Sequence, residues 1–285
     1  MTMTKDDIAA ARARMPLAFA APPLVRAQRI AIWTAGVLLF AWCLYAFDAS
    51  PLRIWNGLGR LGTVFSFMLP PHIWTEWSEF SQILQGLGET LSMAFMGTIL
   101  GALFAFPLSF LGARNITRFW PLRVTARRGF DIIRAFETLI LALIFIRAFG
   151  LGPLAGVLAI AVGEIGVFAK LFSEAIENIS ERQVEGVKAS GGSRLQNIRF
   201  GVLPQVGPVI LSILLYNFES NVRSGTILGI VGAGGIGFIL SDRISAYRWG
   251  EVWSIIFLII AMVYLIDWLS GLVRTRLIGR YEGVR

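Results

Sequence analysis

Cysteine and histidine are nearly missing from this sequence of 285 residues, in which Cys43 and His72 are the single examples. An intrachain disulfide is thereby excluded, and the two side chains cannot assemble a metal cluster of three or four ligands. Nor can a Ser-His or Cys-His pair for nucleophilic catalysis be put together, which counts against an integral membrane enzyme. Charge is scarce as well: 15% of residues are charged, against about 25% in soluble domains. No G-x-x-x-x-G-K-[ST] phosphate loop occurs, so the chain does not bind ATP in that manner.

What fills the sequence is apolar. Hydrophobic residues make up 55% and the mean hydropathy is +0.67, more than the core of a soluble domain consumes, so the surplus must face lipid. The net charge of +8 does not read as a nucleic-acid surface, because Lys and Arg lie between apolar stretches without a basic face. Their distribution reads as membrane topology.

A basic head with Lys5, Arg12, Arg14, Arg26 and Arg29 precedes a first span at about 28–47. This span exceeds a signal-peptide core of about 7–15 residues and lacks an A-x-A site before Asp48, so it is expected to be retained. Residues 1–27 are expected to form a cytoplasmic segment and 28–285 a single transmembrane domain. Residues 49–88, with Pro51, Pro70, Pro71, Trp55, Trp74 and Trp77, suit a surface loop lying against the membrane interface. A second span follows at 89–112, interrupted by Pro107, and then Arg114, Arg118, Arg123, Arg127 and Arg128 without an acidic residue among them. Short Arg-rich loops stay in the cytoplasm. Further spans are expected at 132–149 and 153–172, divided by a turn at Gly150-Leu151-Gly152-Pro153.

From Ser173 to Arg199 charges of both signs alternate at helical intervals, as in a water-facing helical segment. Apolar sequence resumes at 206–218, pauses at Glu219 to Arg223, continues to Leu240, and ends in a span at 252–273 before Arg274, Arg276, Arg280 and Arg285. The expectation is an all-α membrane protein of about six transmembrane helices with both termini cytoplasmic. The stretch 225–240 is expected to be re-entrant rather than a seventh crossing.

Within the polar segment stand Glu185, Gly186, Val187, Lys188, Ala189, Ser190 and Gly191, and nine residues later Gly201, Val202, Leu203 and Pro204. This arrangement resembles the EAA loop of ABC importer permeases, written E-A-A, three residues, G, nine residues, I-x-L-P. Gly186 and Val187 stand in place of the alanines and Gly201 in place of the isoleucine. The resemblance implies that a loop at about 174–204 docks on an ATPase subunit, with Glu185, Gly186, Lys188, Ala189, Ser190, Gly191, Leu203 and Pro204 as coupling residues. The alternative is an ordinary connection with a Gly191-Gly192 turn. An ion-driven carrier would lack such a loop.

The stretch from Asn217 to Gly237 looks like one typical of phosphonate-type permeases. Gly232 to Gly237 also fits G-x-G-x-x-G, but no βαβ pattern surrounds it. Glycines at membrane depth permit a broken backbone where it is buried in protein or lines a cavity, so Gly232, Gly234, Gly235 and Gly237 are gate candidates. Glu219, Asn221, Arg223 and Ser224 precede them and are candidates for the pathway, Arg223 as the partner of an oxyanion. The competing reading is a Glu219 to Arg223 pair at i,i+4 that only fixes the fold. Glu137 and Glu164 are secondary candidates, as a proton relay or in structural pairs with Arg134 or Lys170.

The resemblance spans about 80–275 and implies the type I ABC importer permease fold in a bacterial inner membrane. It further implies a second, identical permease copy, cytoplasmic ATPase subunits that hold ATP and Mg, and a periplasmic phosphonate-binding protein. No cofactor is expected in this chain and no nucleic acid partner. The substrate class is a phosphonate or related phosphorus oxyanion; another small solute such as phosphite, phosphate or an amino acid is the alternative.

Overall fold

The structure, a computed structural model, describes residues 22–68 and 70–282, with main chain only at Met68 and 277–282. Lys5, Arg12, Arg14, Arg285 and most of the segment 1–27 lie outside the described residues. Two compact units divide between Ser66 and Phe67.

The first unit holds α1 (Pro23–Ala46) and nearly all of α2 (Pro51–Met68). Every residue of α1 is exposed except the half-buried Cys43, and Trp33, Leu38, Phe40 and Trp42 point outward. A helix apolar all round and uncovered by protein belongs in lipid. The surface loop expected at 49–88 is largely helical instead. Pro51 opens α2, and only residues 69–76 connect it to α3 (Trp77–Gly112). A proline in the first turn lacks only an N–H that would be unpaired anyway, so it starts this helix rather than breaking it.

The second unit contains α3, α4 (Trp120–Arg134), α5 (Thr138–Phe149), α6 (Pro153–Glu177), α7 (Glu181–Ala189), the single turn α8 (Arg194–Gln196), α9 (Leu203–Leu228), α10 (Gly235–Ser245) and α11 (Trp249–Glu282). Wide π-turns at 197–202 and 229–233 flank α9. No strand occurs among the described residues. Among the described residues, five helical stretches are long and apolar enough to cross a membrane: Pro23–Ala46, Trp77–Gly112, Pro153–Glu177, Arg194–Ala233 and Trp249–Arg276. The span expected at 132–149 is split at 135–137 into the basic α4 and the twelve-residue apolar α5. Pro107 does not interrupt α3, which continues to Gly112.

The core is the contact of α3 with α6. Added to Gly97, a Cβ would lie 2.6 Å from Ile160 Cβ, and added to Gly101, 2.6 Å from Glu164 Cβ. The contacts follow the same order along both helices, so α3 and α6 run parallel. Two glycines four residues apart are how membrane helices bring their backbones together when lipid offers no hydrophobic drive. Gly101→Val should therefore force the pair apart at about 1–3 kcal/mol, visible as a lower melting temperature in detergent. Gly88→Ala, with nothing within 4 Å of the new methyl, should melt as the unaltered chain does.

At one end of the core, the loop end, Glu177 (11% exposed) takes hydrogen bonds from the Arg114 N–H at 2.6 Å and Arg127 Nη2 at 2.7 Å. Lys170 Nζ donates to Asp131 at 2.7 Å. That hydrogen bond, with Arg128 nearby, holds the Asp131 carboxyl below its usual range.

Candidate functional site

α7 lies between two long apolar helices, with Glu185, Gly186, Lys188, Ala189, Ser190 and Gly191 all exposed. Its other face is anchored: Val184 packs with Ile176, Val202 and Val206. The helix stops because Gly191 takes φ +78 and the Gly192 N–H returns to the Val187 carbonyl at 3.0 Å. A Cβ on Gly192 would meet that carbonyl oxygen at 2.8 Å, whereas Gly191 has nothing within 4 Å. Ser193 then caps the next turn in a reciprocal pair with Gln196. Leu203 and Pro204 occupy the first turn of α9, as the spacing predicts.

Sequence reasoning missed the clasp behind this helix. Gln205 accepts from the Ser180 N–H at 2.9 Å and donates to the carbonyls of Ser180 (3.2 Å) and Gly201 (2.6 Å). A Cβ on Gly201 would lie 3.1 Å from Val184 Cα, so glycine in place of isoleucine lets α7 sit directly on the start of α9. No local pattern marks Gln205, because its partners lie before and after α7 in the chain.

The glycines Gly232, Gly234, Gly235 and Gly237 fall together just past the far end of α9. Gly232, Gly234 and Gly235 have φ of 108, 82 and 70, values L side chains rarely adopt. The Gly152 N–H donates to the Gly232 carbonyl at 3.1 Å, tying the break to the turn before α6. α10 resumes beside α3: the Ile236 N–H donates to Thr90 Oγ1 at 2.9 Å and the Gly235 N–H to Glu89 at 3.2 Å. Leu240 reaches Ile83. The stretch expected to be re-entrant is a break followed by a separate helix: Arg194–Ala233 is long and apolar enough to cross by itself, and α10 resumes against the first half of α3. A cavity of about 420 Å³ adjoins the break, lined by Gln85, Glu89, Ser92 and Met96 of α3 with Pro153 and Val157 of α6.

Deeper in the core, Asn221 Nδ2 donates to Glu164 Oε1 at 2.7 Å and to Thr98 Oγ1 at 3.0 Å, joining α9, α6 and α3. Glu164 Oε2 is buried without a partner. Glu164 meets neither Arg134 nor Lys170, whose partner is Asp131, and Glu137 is an exposed residue at the start of α5 rather than mid-span. Asn221→Ala strips Glu164 of its hydrogen bond and should cost about 1–3 kcal/mol, while Thr98→Val spares the bond to Glu164 and should cost about 1 kcal/mol. Thermal unfolding of the two variants in detergent should rank them in that order.

Glu219 and Arg223 do not pair with each other. Both reach α11, Glu219 to Arg274 at 3.2 Å and Arg223 to Asp267 at 3.7 Å. Asp267, the one charged residue in the run 252–273, was legible as an oddity and was not singled out. Ser224 is half-buried beside them.

Residues 97–279, which include α7, α9 and the glycine break, match the family described as the binding-protein-dependent transport system inner membrane component. The chain belongs to this family. It is a multi-pass inner-membrane permease subunit of the ABC transporter class. Among its relatives, the phosphite transport system permease protein PtxC of Stutzerimonas stutzeri is 36% identical over 86% of this chain and 87% of its own. The phosphate-import permease protein PhnE of Mycolicibacterium smegmatis is 35% identical over 88% of this chain and 47% of its own. A solved inward-facing MetNI methionine ABC transporter superposes with TM-score 0.63 at 22% identity, over 71% of this chain and 99% of that chain. That likeness identifies the fold as the type I ABC importer permease fold.

Proposed function

We propose that this permease forms, with a second identical copy, the inner-membrane pathway for a phosphonate or related phosphorus oxyanion. The solute is delivered by a periplasmic binding protein, and ATP with Mg is hydrolysed on cytoplasmic partner subunits. The observation that carries the reading is the similarity, over most of both chains, to a permease named for phosphite transport. The exposed row of α7 supplies the contact for the ATPase. When the ATPase pair closes on ATP, α7 moves with it, and the Gln205 clasp and the Val184 contact pass that motion to α9. α9 in turn carries Asn221 and Arg223 and ends at the glycine break, so one rigid lever joins the ATPase contact to the pathway. Hydrolysis releases the lever.

The test is purification of this chain with its candidate ATPase and assay of ATP hydrolysis with the binding protein empty or loaded with methylphosphonate or phosphite. Stimulation by the loaded protein is the expected result. An ATPase that copurifies but responds only to another solute would overturn the substrate class, and one that fails to bind would overturn the coupling role of α7.

A further inference from the structure

We infer that Arg223 is the oxyanion contact within the pathway and that Asp267 is its resting counter-ion, displaced when the solute arrives. The inference rests on the permease reading above and names the residues that would carry its selectivity. Two ion pairs join α9 to α11. In the first, Arg274 Nη2 donates a hydrogen bond to Glu219 Oε1 at 3.2 Å, and the Glu219 side chain is only 14% exposed. This pair is closed and serves as a tie between helices. The second, Arg223 with Asp267, stands at 3.7 Å without a hydrogen bond, with side chains 53% and 42% exposed. Asp267 Oδ1 is at the same time buried without a partner.

A half-open ion pair set in two apolar spans cannot be turned toward lipid, where ionised groups are costly. It faces water or protein, so Arg223 borders an aqueous pathway or the second copy. Its guanidinium keeps donors in a planar fork that fits two oxygens of a tetrahedral phosphorus oxyanion. Asp267 offers the same kind of oxygen pair from a fixed position. A loose resting contact serves transport, because an oxyanion must bind strongly enough to enter and weakly enough to leave. A carboxylate that retakes Arg223 sends the solute onward.

The experiment titrates methylphosphonate into the purified permease–ATPase complex without binding protein and follows its ³¹P line broadening. The unaltered complex should broaden the signal. Arg223→Gln should abolish the effect, and Asp267→Asn, which removes the competitor, should shift it to several-fold lower concentration while slowing uptake. A pair that only holds helices together predicts unchanged broadening in Asp267→Asn, and that result would overturn the inference. The double variant Arg223→Gln/Asp267→Asn provides the second arm. A structural pair removed as a unit leaves uptake near the unaltered level, whereas an oxyanion contact predicts a loss of about tenfold or more in a complex that still assembles. Stimulation of the unaltered complex by loaded binding protein, measured alongside, keeps the failure of this site distinct from failure of the importer reading.

Discussion

Replacing Gly237 by alanine is expected to leave little folded permease in the membrane and to lower the melting temperature of what remains by roughly 3–12 °C. A Cβ at this position would run into the Thr226 carbonyl oxygen, with Gly229 Cα at 2.9 Å and Ile230 N at 3.0 Å behind it. All three obstacles are main chain, so no rotamer change relieves the collision; α10 must move off the end of α9. Opening that contact costs about 1–3 kcal/mol as overpacking and loosens the hydrogen bonds that the Ile236 and Gly235 N–H groups donate to Thr90 and Glu89. Gly207→Ala, on α9 with nothing within 4 Å, is the control. Yield in membranes and a melting curve in detergent decide the matter. Melting of Gly237→Ala at the unaltered temperature would show that α9 and α10 do not need this approach.

At Gly191 the largest effect is expected on coupling and little on folding. The residue is exposed, has space around it and takes φ +78, so a side chain there meets strain from its own backbone and no neighbour. Asn and Asp tolerate this conformation better than other L residues, which pay about 1–2 kcal/mol. Three variants separate the causes. Gly191→Asn preserves the turn without charge and should keep stimulated ATP hydrolysis within about threefold, since one uncharged surface change is usually within about 0.5 kcal/mol. Gly191→Asp preserves the turn but adds a negative charge at the exposed end of α7, and should cut stimulated hydrolysis and uptake by about tenfold or more if that surface meets the ATPase. Gly191→Val disturbs the turn itself. All three should insert and melt within a few degrees of the unaltered chain. Full stimulation in Gly191→Asp would remove this turn from the ATPase contact.

Residues that act through their immediate neighbours were legible in the sequence. The Glu185 to Pro204 spacing located an exposed helix, a glycine turn and a proline in the first turn of α9, because each depends on φ, ψ and hydrogen bonds within a few residues. Gly232 to Gly237 announced a broken backbone for the same reason. Residues 49–88 were misread since tryptophan and proline mark an interface by composition, while helix formation there depends on where each proline falls. Pro51 opens a helix, and Pro70 and Pro71 fall in the connection. The Glu219 to Arg223 pairing failed for another reason. Spacing of four makes a pair possible on an isolated helix, but the side chains choose the better partner when a second helix brings Asp267 and Arg274 within reach.

The sequence by itself determined that this chain lives in a membrane, where most of its long apolar stretches fall, and which polar loop carries the spacing of the EAA motif. Those properties follow from apolar length, charge placement and local backbone chemistry. Only the tertiary structure decided that Gln205 clasps α7 to α9, that α10 resumes against α3 beyond the glycine break, and which of two ion pairs stands open. Each of these depends on atoms far apart in the chain brought together by the close packing of α3 against α6, and no local pattern carries that information.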